Sequence, residues 1–254
     1  MASESSPLPS ELDLLDIEIG TIWRVDGQRR LLLDPGQEGP VPLLVVGVWQ
    51  EERIMATAND LSEAIHTALA EIVNSGETSP EPFVAPSYLQ AGADALAHSH
   101  GPVMIEGGPS FTIPPGTRNS SSAVIHTECA NPSAAFLTTP PAETRWEPDE
   151  WRHLLTGDLG PWAMAALDER IVSICHSARL TSRAAEAGVW TDPAFRGKGH
   201  AAAVTAAWAD LIRPSGLHIF YSTSSANLSS QRVASRLNLR PIGWIWKLVP
   251  APSA

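Results

Sequence analysis

The chain has 254 residues and a formal net charge of -11, with 17 Lys and Arg residues against 28 Asp and Glu residues. A chain of this length folds as one large domain or as two small ones, and either can bury a core. So few cations exclude the basic face that neutralises phosphate backbones, and we therefore expect no nucleic-acid partner. The longest nearly unbroken apolar stretch, Val41 to Trp49, is far shorter than the roughly 20 residues that span a bilayer, so no membrane partner is expected.

The N-terminus and the cysteines indicate the compartment. Residues 1–12 have neither the cationic start nor the apolar run of a secretory signal, and they predict a disordered tail. Cys129 and Cys175 are the only cysteines, which provides no disulfide framework and no thiolate cage for zinc. We therefore expect a cytoplasmic protein without a metal, present as a monomer or a homodimer.

The N-terminal half, residues 13–140, is predicted to form a divergent α/β domain. An antiparallel meander is predicted from three short β-rich runs separated by turn residues, at 21–24, 30–33 and 43–49. Apolar residues at helical spacing then predict a helix over 61–73. Asp60 and Glu63 form a capping-box pattern at its start, and Gly76 supplies its end.

The remainder of this half is less regular. The predicted elements are a helix over 88–98, a strand and turn over 102–113, and a strand within 123–129. Gly107 and Gly108 mark the predicted turn. The stretch 114–143 is rich in Pro, Thr and Ser, and it is where we place the domain boundary.

The C-terminal half, residues 141–254, changes from a strand period to a helical period and back. Its predicted helices are 148–155, 199–212 and 229–237. Its predicted strands are 162–167, 171–177, 184–191, 217–221 and 242–249, with a tight turn at 168–170. The order β-β-β-α-β-α-β predicts an α+β fold with a mixed sheet.

A glycine-containing loop joins the third of these strands to the helix that follows. The strand ends at Thr191, and the helix is preceded by Arg196-Gly197-Lys198-Gly199-His200-Ala201. Glycines lack a β-carbon, so backbone amides can approach a bound anion closely, and a helix N-terminus adds a partial positive charge. The loop is therefore predicted to hold an anion.

Two common phosphate-binding motifs describe this loop poorly. A Walker loop requires Ser or Thr after Gly-Lys and an earlier glycine at fixed spacing, and neither is present. A dinucleotide fingerprint G-x-G-x-x-A does occur at Gly197, Gly199 and Ala202. It lacks the flanking parallel βαβ unit and an acidic residue about 20 positions further on, so it remains a weak match.

The loop resembles the acyl-CoA signature R/Q-x-x-G-x-G/A of the GNAT superfamily, with Arg196, Gly199 and Ala201 at its fixed positions. Downstream, Asn227 and Ser230 resemble the N-x-x-S helix of the same superfamily. A plain glycine-rich turn would explain the loop but not the second motif. The two motifs together favour the GNAT interpretation.

The resemblance covers roughly residues 162–248. It implies a GNAT acyl-CoA N-acyltransferase fold, preceded by a smaller α/β N-terminal domain, and acetyl-CoA (coenzyme A) as co-substrate. It also implies that strand backbone and Asn227 bind the pantetheine arm while loop amides hold the pyrophosphate. The cofactor-binding residues so implied are Val189, Trp190, Thr191, Arg196, Gly197, Lys198, Gly199, His200, Ala201, Asn227 and Ser230.

Two positions depart from the family pattern. Asn238-Leu239 stands where Gly-Phe is usual, a mild change because Asn often replaces Gly after a helix. Ala234 stands where many members carry a Tyr that protonates the CoA thiolate. Ser230 is the candidate for that role, with a helix-capping hydroxyl as the alternative. Tyr221 ends a strand, where packing is the commoner role.

Amine acylation also requires a base, since an amine of pKa about 10 is mostly protonated at neutral pH. Glu186 resembles a catalytic Glu of several family branches, and the alternative is an exposed carboxylate at a strand end. His176 follows Cys175 on a strand, so the two side chains point to opposite faces and form no catalytic pair. His176 alone either lines an amine pocket or packs in the core.

A zinc deaminase site is disfavoured. His126 and Glu128 match its H-x-E element, but the P-C-x-x-C partner is missing. The function expected from the sequence is transfer of an acetyl group to a primary amine of a small molecule or peptide, by direct attack in a ternary complex. The alternative is a non-catalytic acyl-CoA-binding module that acts as a sensor or scaffold.

Overall fold

The computed structural model describes residues 8–32, 41–77, 84–118, 121–127, 139–141, 144 and 146–252. Their helices are α1 (Glu11–Ile22), α2 (Glu63–Ser75), α3 (Ser87–His100), α4 (Pro148–Leu155), α5 (His200–Ile212) and α6 (Leu228–Arg236). Their strands are β1 (Arg24–Val25), β2 (Arg30–Leu32), β3 (Leu44–Trp49), β4 (Glu52–Ala58), β5 (Val103–Thr112), β6 (Val124–Thr127), β7 (Trp162–Leu167), β8 (Arg170–Leu180), β9 (Ala184–Thr191), β10 (His218–Ser222) and β11 (Arg240–Pro250). Within these ranges, no helix is long and apolar enough to cross a membrane.

The chain divides into two compact units. The first comprises Met1–Ser110, Thr223–Ala226 and Pro241–Ala254, and the second comprises Phe111–Ser222 and Asn227–Arg240. The predicted α+β fold class is confirmed, because helices and a mixed, mostly antiparallel set of strands alternate along the chain. The domain boundary placed near residue 140 stays a prediction.

In the first unit, β3 is central and antiparallel to both β4 and β11. Its residues alternate between two faces, as strand geometry requires. Gly47 lies against Ile19 of α1, while Leu44 and Val46 belong to a core shared with α2 and α3. The sheet of this unit is therefore covered on both faces.

Several predictions for the first half are wrong in detail. Residues 21 and 22 belong to α1 rather than to a strand, and β4 was missed. The buried face of the α1 helix includes the polar residues Glu18 and Thr21, which weaken the one-sided apolar pattern that reveals a helix. Ser62, not Asp60, caps α2 through a hydrogen bond from the Ile65 amide to its hydroxyl.

Gly107 and Gly108 do not form the predicted turn, because both lie inside the continuous strand β5. A β-carbon on Gly108 would lie 1.8 Å from the carbonyl oxygen of Thr223. The glycine therefore permits a close backbone approach, which is the other common reason for glycine in a strand.

The second unit orders its strands β10-β9-β8-β7-β6. The β9–β10 pair is parallel, and the other pairs are antiparallel. Alternation along β7 again separates two cores: Trp162 and Met164 pack with α4, whereas Ala163 and Ala165 pack with α5. The predicted elements between residues 148 and 222 are confirmed to within a few residues.

The last strand is confirmed as an element, but its neighbour was not predicted. β11 pairs with β3 through residues such as Trp246, opposite Val46. Most of β11 therefore belongs to the first unit, although it follows α6 directly in the sequence.

Candidate active site

The candidate site lies where β9 and β10, which are paired at their beginnings, separate from each other. β9 and β10 pair through Ala184–Glu186 and His218–Phe220. Beyond these residues β9 continues to Thr191 beside β8. The edge of β9 that faces away from β8 is therefore no longer paired with β10 after Glu186. A strand edge of this kind can bind an extended ligand as an added strand.

Glu186 lies where the two strands part. Its Oε1 accepts hydrogen bonds from the backbone amide of Ser222 (2.8 Å) and from the Ser222 hydroxyl (2.7 Å). The residue is only 6% exposed, and Oε2 has no hydrogen-bond partner among the described residues. Burial raises the pKa of this carboxyl to about 7, against the opposing effect of the two Ser222 hydrogen bonds. The alternative of an exposed strand-end carboxylate is therefore wrong for Glu186.

The loop after β9 is held by Asp192. One carboxylate oxygen accepts the Ala194 amide (2.9 Å), and the other pairs with Arg170 (2.5 Å). Gly197 and Gly199 then adopt φ angles of 77° and 89°, which glycine tolerates best. The chain can thereby turn sharply into α5, whose first amides have no carbonyl partner within the helix.

His200, the first residue of α5, is buried and lies beside Ser121. The hydroxyl of Ser121 accepts the amide of Ala123 (3.1 Å) and lies within hydrogen-bond distance, 2.8 Å, of His200 Nδ1. Burial and the nearby Lys198 lower the pKa of His200, which favours the neutral ring. The Lys198 ammonium lies 4.7 Å above the ring of Phe195.

A cavity of about 590 Å³ lies between the end of β9, the loop, the start of α5 and one face of α6. The predicted residues that line it are Val189, Trp190, Thr191, Arg196, Gly197, Gly199, His200, Ala201, Asn227 and Ser230. Lys198 and Glu186 are outside its lining. The lining residues that were not predicted are Phe195, Ala202, Tyr221, Ser229, Arg232, Val233 and Arg236.

Asn227, not Ser230, caps α6. Its Oδ1 accepts the backbone amide of Ser230 at 3.1 Å, so the proposed capping role of the Ser230 hydroxyl is wrong. Tyr221 approaches the same residue from β10, and its hydroxyl donates to the Ser230 carbonyl oxygen at 3.2 Å. Burial raises the pKa of Tyr221 to about 12. Two hydroxyl groups, one from a helix and one from a strand, therefore lie in this part of the cavity wall.

The side chains of Cys175 and His176 point to opposite faces of the sheet, as predicted. Cys175 is buried in the core beneath α5, which raises the pKa of its thiol. His176 packs against Trp146 at 4.9 Å between ring centroids, and burial lowers its pKa to about 4. Glu128 and Cys129 lie outside the described residues.

The parted strands, the cavity beside them and the glycine loop that opens a helix in its wall place this unit in the class of α+β domains with a candidate ligand site. Residues 120–240 match the model of one family in that class, described as the acetyltransferase (GNAT) domain. This match covers just under half of the chain, and it agrees with the resemblance to the GNAT superfamily that the two motifs carry. No curated protein sequence matches the chain.

Solved structures with a similar fold include a GNAT-family protein of Novosphingobium aromaticivorans, at 18% identity and TM-score 0.42, over 59% of this chain and 66% of that one. A GNAT-family acetyltransferase of Colwellia psychrerythraea aligns at 14% identity and TM-score 0.47, over 88% of this chain and 78% of its own. A tandem GNAT protein from the clavulanic acid biosynthesis pathway aligns at 14% identity and TM-score 0.46, over 90% and 78%. The chain spans just under two thirds of the first of these. At such identities the likeness concerns the fold alone.

The raised pKa of Glu186 predicts a pH-dependent stability. Its folded pKa of about 7 exceeds the ordinary value of 4.5, so the folded state holds a proton that the unfolded state releases in this range. The quantity to compare is the free energy of unfolding of wild type minus that of Glu186→Gln. This difference should have its highest value below pH 4.5 and should fall by about 3 kcal/mol as the pH rises to 7. Urea unfolding of both proteins between pH 4.5 and 8 measures the difference. A constant difference would contradict the buried, protonated carboxyl.

Proposed function

We propose that the chain transfers an acetyl group from acetyl-CoA to a primary amine of a small molecule or a peptide. The observation that carries this proposal is the cavity, which joins an unpaired strand edge, a glycine loop at a helix start, and α6. These are the three surfaces that a long molecule with a peptide-like arm and a pyrophosphate would require. As expected from cysteine usage, we place the reaction in the cytoplasm.

The donor is proposed to bind along β9 and across the start of α5. Backbone groups of Val189–Thr191 would pair with the amides of the pantetheine arm, as a further strand would. Amides from Arg196 to Ala201, with the partial charge of the α5 N-terminus, would hold the pyrophosphate. The side-chain amide nitrogen of Asn227 would donate to the pantetheine, since its Oδ1 is used to cap α6.

The acceptor amine is proposed to approach from the face of the sheet that carries Glu186. Ala185 and Ala187 pack beneath α5, so Glu186 between them points to the other face. Its pKa of about 7 suits a general base at neutral pH. The carboxylate would accept the proton of the amine, directly or through water, as nitrogen attacks the thioester carbonyl. The C–S bond then breaks, and Ser230 would donate a proton to the departing thiolate.

The proposed activity is tested by incubating the protein with acetyl-CoA and a panel of amines and peptides while free thiol is measured. Thiol release that depends on both substrates is expected, with one acetylated amine formed for each thiol. Tight CoA binding without turnover across a broad panel would instead favour the alternative, an acyl-CoA-binding module that acts as a sensor or scaffold.

Replacement of the proposed base should change both the rate and its pH profile. The wild-type rate should rise with pH through about 7, because Glu186 accepts a proton only when it is ionised. Glu186→Gln should lower kcat about 100-fold or more at neutral pH and abolish this rise. Since unassisted amines lose their own proton near pH 10, the variant should recover partly at high pH. Rates equal to wild type at both neutral and high pH would exclude Glu186 as the base.

The proton donor can be identified by three hydroxyl deletions. If Ser230 is the donor, Ser230→Ala should lower kcat about 10-fold or more, while Tyr221→Phe keeps most of it. Tyr88→Phe is the matched control, because Tyr88 is the only other tyrosine of the chain and lies in the first unit. Each variant is assayed with acetyl-CoA and with an acetyl ester of an acidic phenol, whose leaving group needs no proton. If kcat with acetyl-CoA, but not with the phenyl ester, fell in Tyr221→Phe rather than in Ser230→Ala, Tyr221 would be the proton donor to the thiolate.

A further inference from the structure

One wall of the cavity is unusually basic for this chain. Arg232 and Arg236 lie four residues apart on α6 and both line the cavity, as Arg196 does from the loop. All three are exposed. Three of the 17 cationic residues in a chain of net charge -11 therefore border one cavity. A local concentration of this kind indicates an anionic ligand.

Among the residues that the structure describes, none supplies a counter-charge to the two arginines of α6. The helix contains no acidic residue, and no ion pair formed among the described residues includes Arg232 or Arg236. Some other arginines are paired, for example Arg170 with Asp192. Like charges four residues apart destabilise a helix, so this pair costs stability unless an anion lies between the two guanidinium groups.

The position of the pair along α6 indicates which anion it binds. Asn227 caps the helix at the end assigned to pantetheine. With a rise of about 1.5 Å per residue, Arg232 and Arg236 lie roughly 7 and 13 Å further along the axis. The loop and the α5 N-terminus, on a different element, are already assigned to the pyrophosphate. The arginines are therefore available to a phosphate that lies still further from the thioester.

We propose that Arg232 and Arg236 bind the 3′-phosphate on the adenosine end of coenzyme A, and that they thereby select donors that carry this third phosphate. The inference rests on the proposed function, because it assumes that CoA occupies the cavity. Guanidinium groups are suited to the task, since they present paired N–H donors that match phosphate oxygens. Pantetheine donors without the nucleotide end, or with only two phosphates, would leave the pair unoccupied.

The inference is tested by a cycle that removes the phosphate and the arginines separately. Isothermal titration measures the Kd of CoA and of 3′-dephospho-CoA for wild type, Arg232→Ala, Arg236→Ala and the double variant. Wild type should bind CoA about tenfold or more tightly than dephospho-CoA, and the preference should shrink as salt is raised. The double variant should bind both nucleotides alike, with an affinity for dephospho-CoA within about twofold of wild type.

The matched control is Arg183→Ala, which removes an exposed arginine between β8 and β9 that does not line the cavity. It should keep the full preference. Equal binding of both nucleotides by wild type, or an equal loss for both in the double variant, would overturn the assignment of the arginines to the 3′-phosphate. If wild type bound neither nucleotide, the proposed donor would be wrong as well, which distinguishes failure of the function from failure of this inference.

Discussion

The parting of β9 from β10 at Glu186 is the constraint on which the rest of the site depends. Two parallel strands that stayed paired would satisfy each other's amides and leave no room between them. Here the backbone amide of Ser222 donates its hydrogen bond to the Glu186 carboxylate instead of to a carbonyl oxygen of the neighbouring strand. The far edge of β9 is thereby left outside the ladder, and the cavity lies beside it.

The helices and strands of the second unit were predictable because the pattern that identifies each one lies within a short contiguous segment of the sequence. A continuous apolar run identifies β7, and the pair of glycines before an alanine-rich helix identifies the loop and α5. Their environment is a sheet with one helix layer on each face, so the residue pattern reflects the burial pattern directly. The motif residues of the loop and of Asn227 and Ser230 accordingly meet at one cavity.

Features set by distant partners were not predictable in the same way. The buried face of α1 contains Glu18 and Thr21, which weaken its periodic apolar signal. β11 takes its neighbour β3 from the other end of the chain. Gly108 shows the same limit, since its pattern fits a turn and only the approach of Thr223 explains it. Tyr221 could be recognised as a strand residue, but not as one whose hydroxyl reaches Ser230.

The net charge of the chain and the positions of its individual charges likewise give different information. A net charge of -11 argues against a broad basic face, yet it conceals the arginines that line the cavity. Their four-residue spacing on α6 was visible in the sequence. It became informative only when the structure placed both on the cavity wall, because two arginines on an ordinary solvated helix imply nothing about a ligand.

Glu186 combines a structural and a chemical role without conflict because its two oxygens have different surroundings. Oε1 accepts two hydrogen bonds from Ser222, whereas Oε2 has no partner among the described residues. The two Ser222 hydrogen bonds favour the charged form and burial disfavours it more strongly, so the pKa settles near 7. An ordinary surface carboxylate would be too weak a base for an amine, and a fully unsupported buried one would stay protonated. The contact between Glu186 and Ser222, which lies where the strands part, thus also allows the proposed base to ionise near neutral pH.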